Sequence, residues 1–311
     1  MLAIEHATVG NEALVDILIS PTREAGMLDQ QDAIVKRSAL HGASARGLLD
    51  TVRKLLALNA NPGLSDTNGS TPLLLAFVHG HPAAANVLLV PSAQAGVLDV
   101  KGKFGMSALC RACEQGHAGL VERLLDQDAN PKMRDGDVHG NTPLMLAIAN
   151  GHAAVAEILL SRERQVAALD VQSTGAKRSA IMIASDKGQA ELVGQLLGLG
   201  AKVGLRDKYG KTALILALEK GHEAVAEMLL PPTARAGALD VQGSGMMDRK
   251  SALMISSKKG LTGLVDKLLL LRANAQLKDA QGKTALDLAR EGNRDACVSL
   301  LTLHASSVGR N

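Results

Sequence analysis

Tryptophan is absent from this chain, and its 311 residues include only one Tyr and two Phe. A large single globule normally draws on aromatic side chains to fill its centre. The 46% of residues that are hydrophobic must therefore build a core mainly from Leu and Ala, which suits thin layers of small, closely approaching helices. Long apolar runs are missing: none approaches the ~18 residues of a membrane span. The first residues carry no basic segment followed by an apolar core, the pattern of a secretory signal. Three cysteines make no disulfide framework, which fits a reducing compartment. An intracellular, cytoplasmic location is expected. An excess of one charge is missing as well. With 34 Lys and Arg against 31 Asp and Glu, the net charge is +3, which by itself supports neither a nucleic-acid nor a membrane-surface role.

Catalytic signatures are also lacking. No HExxH, GxSxG or P-loop occurs, and no glycine-rich loop sits between a strand and a helix. Gly243, Ser244 and Gly245 in QGSGMMD read as loop flexibility. No enzymatic activity, cofactor, metal or small-molecule substrate is expected.

What the chain has is repetition. TALILALEKGHEAVAEMLL, residues 212–230, recurs as TPLLLAFVHGHPAAANVLL from Thr71, TPLMLAIANGHAAVAEILL from Thr142 and TALDLAREGNRDACVSLL from Thr284. The threonines are 71, 70 and 72 residues apart. Weaker copies begin about midway, at Ser38, Ser107, Ser179 and Ser251. Length alone would suggest about two domains. Stacked repeats instead share one core, so residues 1–311 are expected to form a single domain. It would comprise a partial repeat over 1–37 and full repeats starting near 38, 71, 107, 142, 179, 212, 251 and 284.

Each unit follows one template. A Thr or Ser opens it as a helix N-cap, and Pro72 and Pro143 suit the first helical position. Apolar residues recur at helical spacing, as in Leu144, Ala147 and Ile148. Gly80, Gly116, Gly151 and Gly221 are placed to end the first helix in the left-handed conformation. Paired leucines such as Leu229-Leu230 mark a second helix. Helices of about eight residues are marginal alone, so stacking must hold them.

The connections alternate between two kinds. The short kind, as in NANPGLSDTNGS over 59–70, contains an Asp-x-x-Gly turn. The long kind, as in PSAQAGVLDVKG from Pro91, adds roughly one helical turn before a Leu-Asp element. Residues 162–168 are free to continue their helix. Pro91, Pro231 and Pro232 are expected to kink theirs or restart it as a separate turn. Without the Asp-x-x-Gly turn, the long fingers are expected to be irregular.

These units resemble ankyrin repeats. Asp207, Gly210, Thr212, Leu214, Ala217, Gly221, His222, Val225, Ala226, Leu229 and Leu230 fall at the offsets of the family pattern, and the resemblance covers essentially the whole chain. It implies an all-α solenoid of helix-turn-helix pairs, here with alternating short and long fingers. The family's histidine in TPLH is replaced by Leu74, Met145, Ile215 and Asp287, and only His41 keeps it. The hydrogen bonding it gives between repeats is therefore expected to be mostly absent. Met1 falls where a first helix is already under way. The apolar MLAI start is unlike a capping repeat, so an excerpt of a longer protein is expected.

Cys110 and Cys113 form a CxxC that suggests a redox or metal pair. No second CxxC accompanies it, so a core role is expected. His81, His117, His152 and His222 share the Gly-His step. Stacked helices lie about 10 Å apart, too far for imidazoles of successive units to share an ion, and a structural role at the turn is expected.

What remains is surface. The resemblance implies partner binding on the concave face, through finger tips and the residues before the inter-helix glycine. The candidates are His79, Asn150, Lys187, Lys208, Tyr209, Lys211, Glu219, Lys220, Lys258, Lys259, Lys283 and Arg290. The pairs Lys36-Arg37, Lys177-Arg178 and Arg249-Lys250 on the long fingers add charge. The basic second half of this stripe leads to an expected protein partner of acidic or mixed charge, bound by a monomeric scaffolding or recruiting segment. No nucleic acid and no membrane insertion are expected. Two other readings stay open: a regulatory segment acting in cis within a larger enzyme or channel, and a structural spacer.

Overall fold

A computed structural model describes residues 28–102, 105–136, 139–162, 169–244 and 249–308. Most of the partial first repeat, the start of the chain, the stretch 163–168 with its expected helical continuation, and Gly245 lie outside the described residues. Contacts divide the chain into two compact units, Met1–Arg162 and Glu163–Asn311.

Among the described residues the regular elements are all α-helices. The first unit contains α1 (Ala39–Arg46), α2 (Leu49–Ala57), α3 (Pro72–Val78), α4 (Pro82–Gln94), α5 (Ala108–Gln115), α6 (Ala118–Asp126), α7 (Pro143–Ala149) and α8 (Ala153–Arg162). The second contains α9 (Ala180–Lys187), α10 (Ala190–Gly198), α11 (Ala213–Lys220), α12 (Glu223–Arg235), α13 (Ala252–Lys259), α14 (Thr262–Leu270), α15 (Ala285–Glu291) and α16 (Asp295–Val308). Within each unit the odd-numbered helices stack on one another, the even-numbered ones do the same, and each pair packs internally. Each unit is thus an α-helical solenoid.

The core is built from the aliphatic stripe. Leu40, Leu55, Leu73, Leu88, Leu109, Leu124, Leu144 and Leu159 are fully buried in the first unit. Burying each such side chain contributes roughly 1.5–3 kcal/mol. That is how helices too short to persist alone are held.

Local chemistry sets the helix ends. The hydroxyls of Thr71, Ser107, Thr142, Thr212, Ser251 and Thr284 each accept from the backbone N–H three residues on, at 3.3–3.4 Å. Ser179 holds the same extended conformation without such a bond. At the other end, Gly116 and Gly188 take φ of +78° and +73°, and a Cβ at either would meet the imidazole of the next repeat, His152 or His222.

Those histidines join repeats. His152 Nε2 donates to the Glu114 carbonyl at 2.9 Å and His222 Nε2 to the Asp186 carbonyl at 3.2 Å. At the alternate joints a side chain from the last helical turn does the same work: Gln115 Nε2 donates to the Phe77 carbonyl at 2.8 Å and Lys259 Nζ to the Glu219 carbonyl at 2.7 Å. The joints therefore alternate with the fingers.

The expectation of irregular long fingers is corrected. Asp29, Asp99, Asp170 and Asp240 of the Leu-Asp elements each accept from a backbone N–H of the next short finger. The donors are Asn61, Asn130, Lys202 and Asn274, at 2.7–3.0 Å. Gln31, Gln172 and Gln242 each donate from Nε2 to a carbonyl of their own finger and to one of the next, those of Ser65, Arg206 and Lys278. Inter-repeat hydrogen bonding has moved from the TPLH position to these side chains. His41 keeps the family role, with Nε2 donating to the Ser70 carbonyl at 3.2 Å and Nδ1 accepting from Ser38.

The restart expected at the prolines is corrected. α4 runs unbroken through Pro91 and α12 through Pro231 and Pro232, each over 13 residues. A proline ring fixes a φ that is already helical and forfeits one N–H. The ladder resumes one turn later, with Ala95 N–H donating to Pro91 and Ala236 N–H to Pro232. This lengthens alternate second helices and turns the hydroxyls of Ser92 and Thr233 into the core.

Candidate partner-binding face

The finger tips and the last turns of the odd-numbered helices supply the candidate residues. In the first unit, His79 is exposed just after α3, and Asn150 is exposed after α7 with its amide folded back onto the Leu146 carbonyl at 2.9 Å. The second unit carries the rest. Lys187, Lys220, Lys258, Lys259 and Arg290 are exposed on the last turns of α9, α11, α13 and α15. Lys208 lies with its ammonium 5.0 Å from the centre of the Tyr209 ring, within cation–π range, and the ring is 49% exposed.

Two of the lysines are neutralised by carboxylates eight residues on. Lys211 Nζ meets Glu219 at 2.7 Å, and Lys283 meets Glu291. Its hydrogen bond to Glu291 holds the Lys283 ammonium above its ordinary pKa. Neighbouring Asp287 is held below the usual carboxylate range, first by the Thr284 backbone N–H and then by its hydroxyl.

Two of the long-finger arginines, Arg37 and Arg178, are ion-paired. Arg37 Nε lies 3.4 Å from Asp66, and Arg178 Nε lies 3.6 Å from Asp207, both carboxylates being buried. Each arginine compensates the aspartate that organises the next short finger, where Asp66 and Asp207 accept from backbone N–H groups. This inward pairing offsets the charge that they were expected to add to the partner face.

What the geometry brings together in the second unit is a basic cluster. Lys250, Lys258, Lys259 and Arg294 line one depression with Glu219, Ile255 and Leu261. Arg294 was missed in the sequence because its repeat reads Gly-Asn where others read Gly-His. Here Asn293 takes the left-handed conformation, with φ of +54°. Arg294 thereby occupies the place that His152 and His222 fill elsewhere, against Gly260 and with Nε on the Lys258 carbonyl at 3.4 Å. Counting back from the buried Leu301 to Gly292 reveals the one-residue shift.

The cysteines belong to the core. Cys110 and Cys113 are fully buried on α5, Cys110 Sγ donates to the Met133 carbonyl at 3.5 Å, and desolvation pushes both thiols above their ordinary pKa. The inter-helix histidines His152 and His222 are likewise structural, spent on carbonyls of the preceding repeat.

A profile describing ankyrin repeats in three copies matches residues 1–99, 80–170 and 165–240. Among curated proteins, the ankyrin repeat domain-containing protein 63 of Homo sapiens is 31% identical over 171 residues, which is 55% of this chain and 36% of that protein. The B-cell lymphoma 3 protein homolog of Mus musculus is 29% identical over 205 residues, 66% of this chain and 44% of the relative. A transient receptor potential cation channel subfamily A member 1 homolog of Caenorhabditis elegans is 26% identical over 222 residues, covering 68% of the chain and 18% of the channel subunit. The chain thus spans less than half the length of each of these relatives. No helix among the described residues is long and apolar enough to cross a membrane.

Proposed function

The chain belongs to the ankyrin repeat family, whose repeats are protein–protein interaction modules, and from that premise we propose that it is a non-enzymatic scaffolding or recruiting segment. It works inside the cell, in the cytoplasm and as a monomer, without cofactor or small-molecule substrate. It holds an acidic or mixed-charge protein surface against the finger tips and odd-numbered helix ends of its second unit. One observation carries the charge preference. Lys211 and Lys283 are paired with carboxylates, whereas Lys258, Lys259 and Arg294 have no carboxylate within ion-pair distance among the described residues. Exposed positive charge of this kind steers an oppositely charged partner. Tyr209, exposed on the short finger before α11, offers an aromatic anchor on the same unit. Lys187, Lys208, Lys220 and Arg290 extend the face, while His79 and Asn150 belong to a separate stretch on the first unit. The test is affinity capture from cell extract with crosslinking mapped to residues. Reversing Lys258 and Lys259 to Glu should lower capture of the crosslinked partner and leave the helical circular-dichroism spectrum unchanged. Undiminished capture by the reversed protein overturns the charge preference.

A second reading, regulation in cis within a larger protein, is supported by the partial coverage of the relatives, one of which is a cation channel subunit. The coding sequence on either side of this stretch distinguishes it: a contiguous catalytic or channel domain favours regulation in cis.

A further inference from the structure

Resting on the basic-face reading, we propose that the depression at the C-terminal end of α13, lined also by the end of α11 and the residue before α16, is a phosphoryl-binding pocket that takes a phosphorylated side chain of the partner protein. Lys250 comes from the finger before α13, Lys258 and Lys259 from the last turn of α13, and Arg294 from the position just before α16. Together they surround a space of about 530 Å³. Ile255 and Leu261 supply apolar wall suited to the carbon atoms of a phosphoserine or phosphothreonine.

Two features favour a phosphate over a lone carboxylate. The first is how the cations are held. Lys259 and Arg294 are each anchored by a neutral main-chain carbonyl, of Glu219 at 2.7 Å and of Lys258 at 3.4 Å. An ammonium has three donors and a guanidinium five, so both keep donors for a ligand while their position is fixed and no described carboxylate compensates their charge. The second is the state of Glu219, the only carboxylate lining the pocket among the described residues. Glu219 is paired with Lys211 at 2.7 Å and so repels an incoming anion less. Several donors lining one depression from three segments of the chain suit a group with three acceptor oxygens and close to two negative charges. A carboxylate would satisfy only part of such a set.

The experiment uses the full chain with its isoleucine methyl groups labelled, read by carbon–proton NMR at the Ile255 methyl. It is titrated with the capped amides of phosphoserine and of glutamate, and with inorganic phosphate. Phosphatidylinositol-phosphate vesicles in a phosphatidylcholine background form a separate arm. Phosphoserine amide should shift the Ile255 methyl saturably and bind about fivefold or more tightly than glutamate amide, given the extra charge and acceptors. Lys258→Gln, which removes an ammonium with no hydrogen bond among the described residues, should weaken that binding by about fivefold without changing the urea midpoint. Equal binding of phosphoserine and glutamate overturns the phosphoryl assignment and leaves the acidic-partner reading standing. No saturable shift with any anion overturns the pocket and, with it, the basic face. Binding to the vesicles without binding to phosphoserine amide assigns the site to a membrane surface and likewise overturns the proposal.

Discussion

The imidazole of His152 lies over Gly116 of the preceding repeat so closely that a Cβ there would stand 2.6 Å from Nδ1, while Nε2 donates to the Glu114 carbonyl at 2.9 Å. One residue thus caps a helix end and fixes the spacing between neighbouring repeats. The same contact recurs between His222 and Gly188, while a methyl group added at Gly80 or Gly151 would meet no atom within 4 Å.

That difference is measurable. Gly116→Ala and Gly151→Ala both place alanine at φ near +78°, a backbone cost of about 1–2 kcal/mol. Only the first also drives a methyl group into an imidazole. In urea unfolding, Gly116→Ala is expected to destabilise by about 1 kcal/mol or more beyond Gly151→Ala, as overpacking does. Equal losses would show that the histidine contact carries no energy.

His41 makes the stability of the first unit depend on pH. Desolvation, the largest influence, holds its imidazole below the ordinary value of 6.5 in the folded state. Protonation would also turn Nδ1 into a donor facing the Ser38 N–H and hydroxyl. Below pH 6.5 the unfolded chain therefore binds more protons than the folded one. Stability from this group is complete above that pH and falls away as pH drops beneath it. Urea midpoints at pH 7.5, 6.5 and 5.5 should decline more steeply for the native chain than for His41→Asn, and parallel declines refute the assignment.

Ser92 and Thr233 are fully buried beside the prolines that lengthen α4 and α12, and neither hydroxyl has a partner among the described residues. An unpaired buried hydroxyl opposes folding. Ser92→Ala and Thr233→Val should each raise stability by about 1 kcal/mol, seen as a higher melting temperature. A fall for both would mean that the hydroxyls are satisfied.

Asp170 joins a long finger to the next short one through the Lys202 N–H at 2.8 Å. Asp170→Ala should cost about 1 kcal/mol, whereas Asp170→Asn, which keeps the accepting oxygen, should lose about half of that or less. The pair is compared by denaturant melts, with amide hydrogen exchange at Lys202 reporting the local bond. Exchange at Lys202 that is unchanged in Asp170→Ala would rule the bond out.

The helix pairs were legible because their signals are local. Thr212 caps the helix that starts at Ala213 by accepting from the N–H three residues on, Gly221 ends it, and Leu229 lies on the stripe that such an arrangement buries. The joints between fingers were not legible, since the receiving group is a backbone N–H that any residue offers. Asn61 and Lys202 play the same part despite different side chains. The helix break expected at the prolines was wrong because a packed helix tolerates losing one hydrogen-bond rung. Charge on the candidate face was visible, but its neutralisation was not. Lys211 and Lys258 look alike as letters, yet among the described residues only the first reaches a carboxylate. The inward turn of Arg178 depended on Asp207 lying 29 positions along the chain.

The alternation of fingers also fixes the smallest length by which such a chain can grow or shrink. Within either unit, excising one helix pair would bring two like fingers together, leaving an aspartate such as Asp170 without its waiting N–H and a carbonyl such as that of Arg206 without its glutamine. Excising two pairs, the 70–72 residues between strong copies, rejoins long finger to short and restores every bond at the seam. Insertions and deletions that survive in this lineage, or in a laboratory library, should therefore come in pairs of repeats.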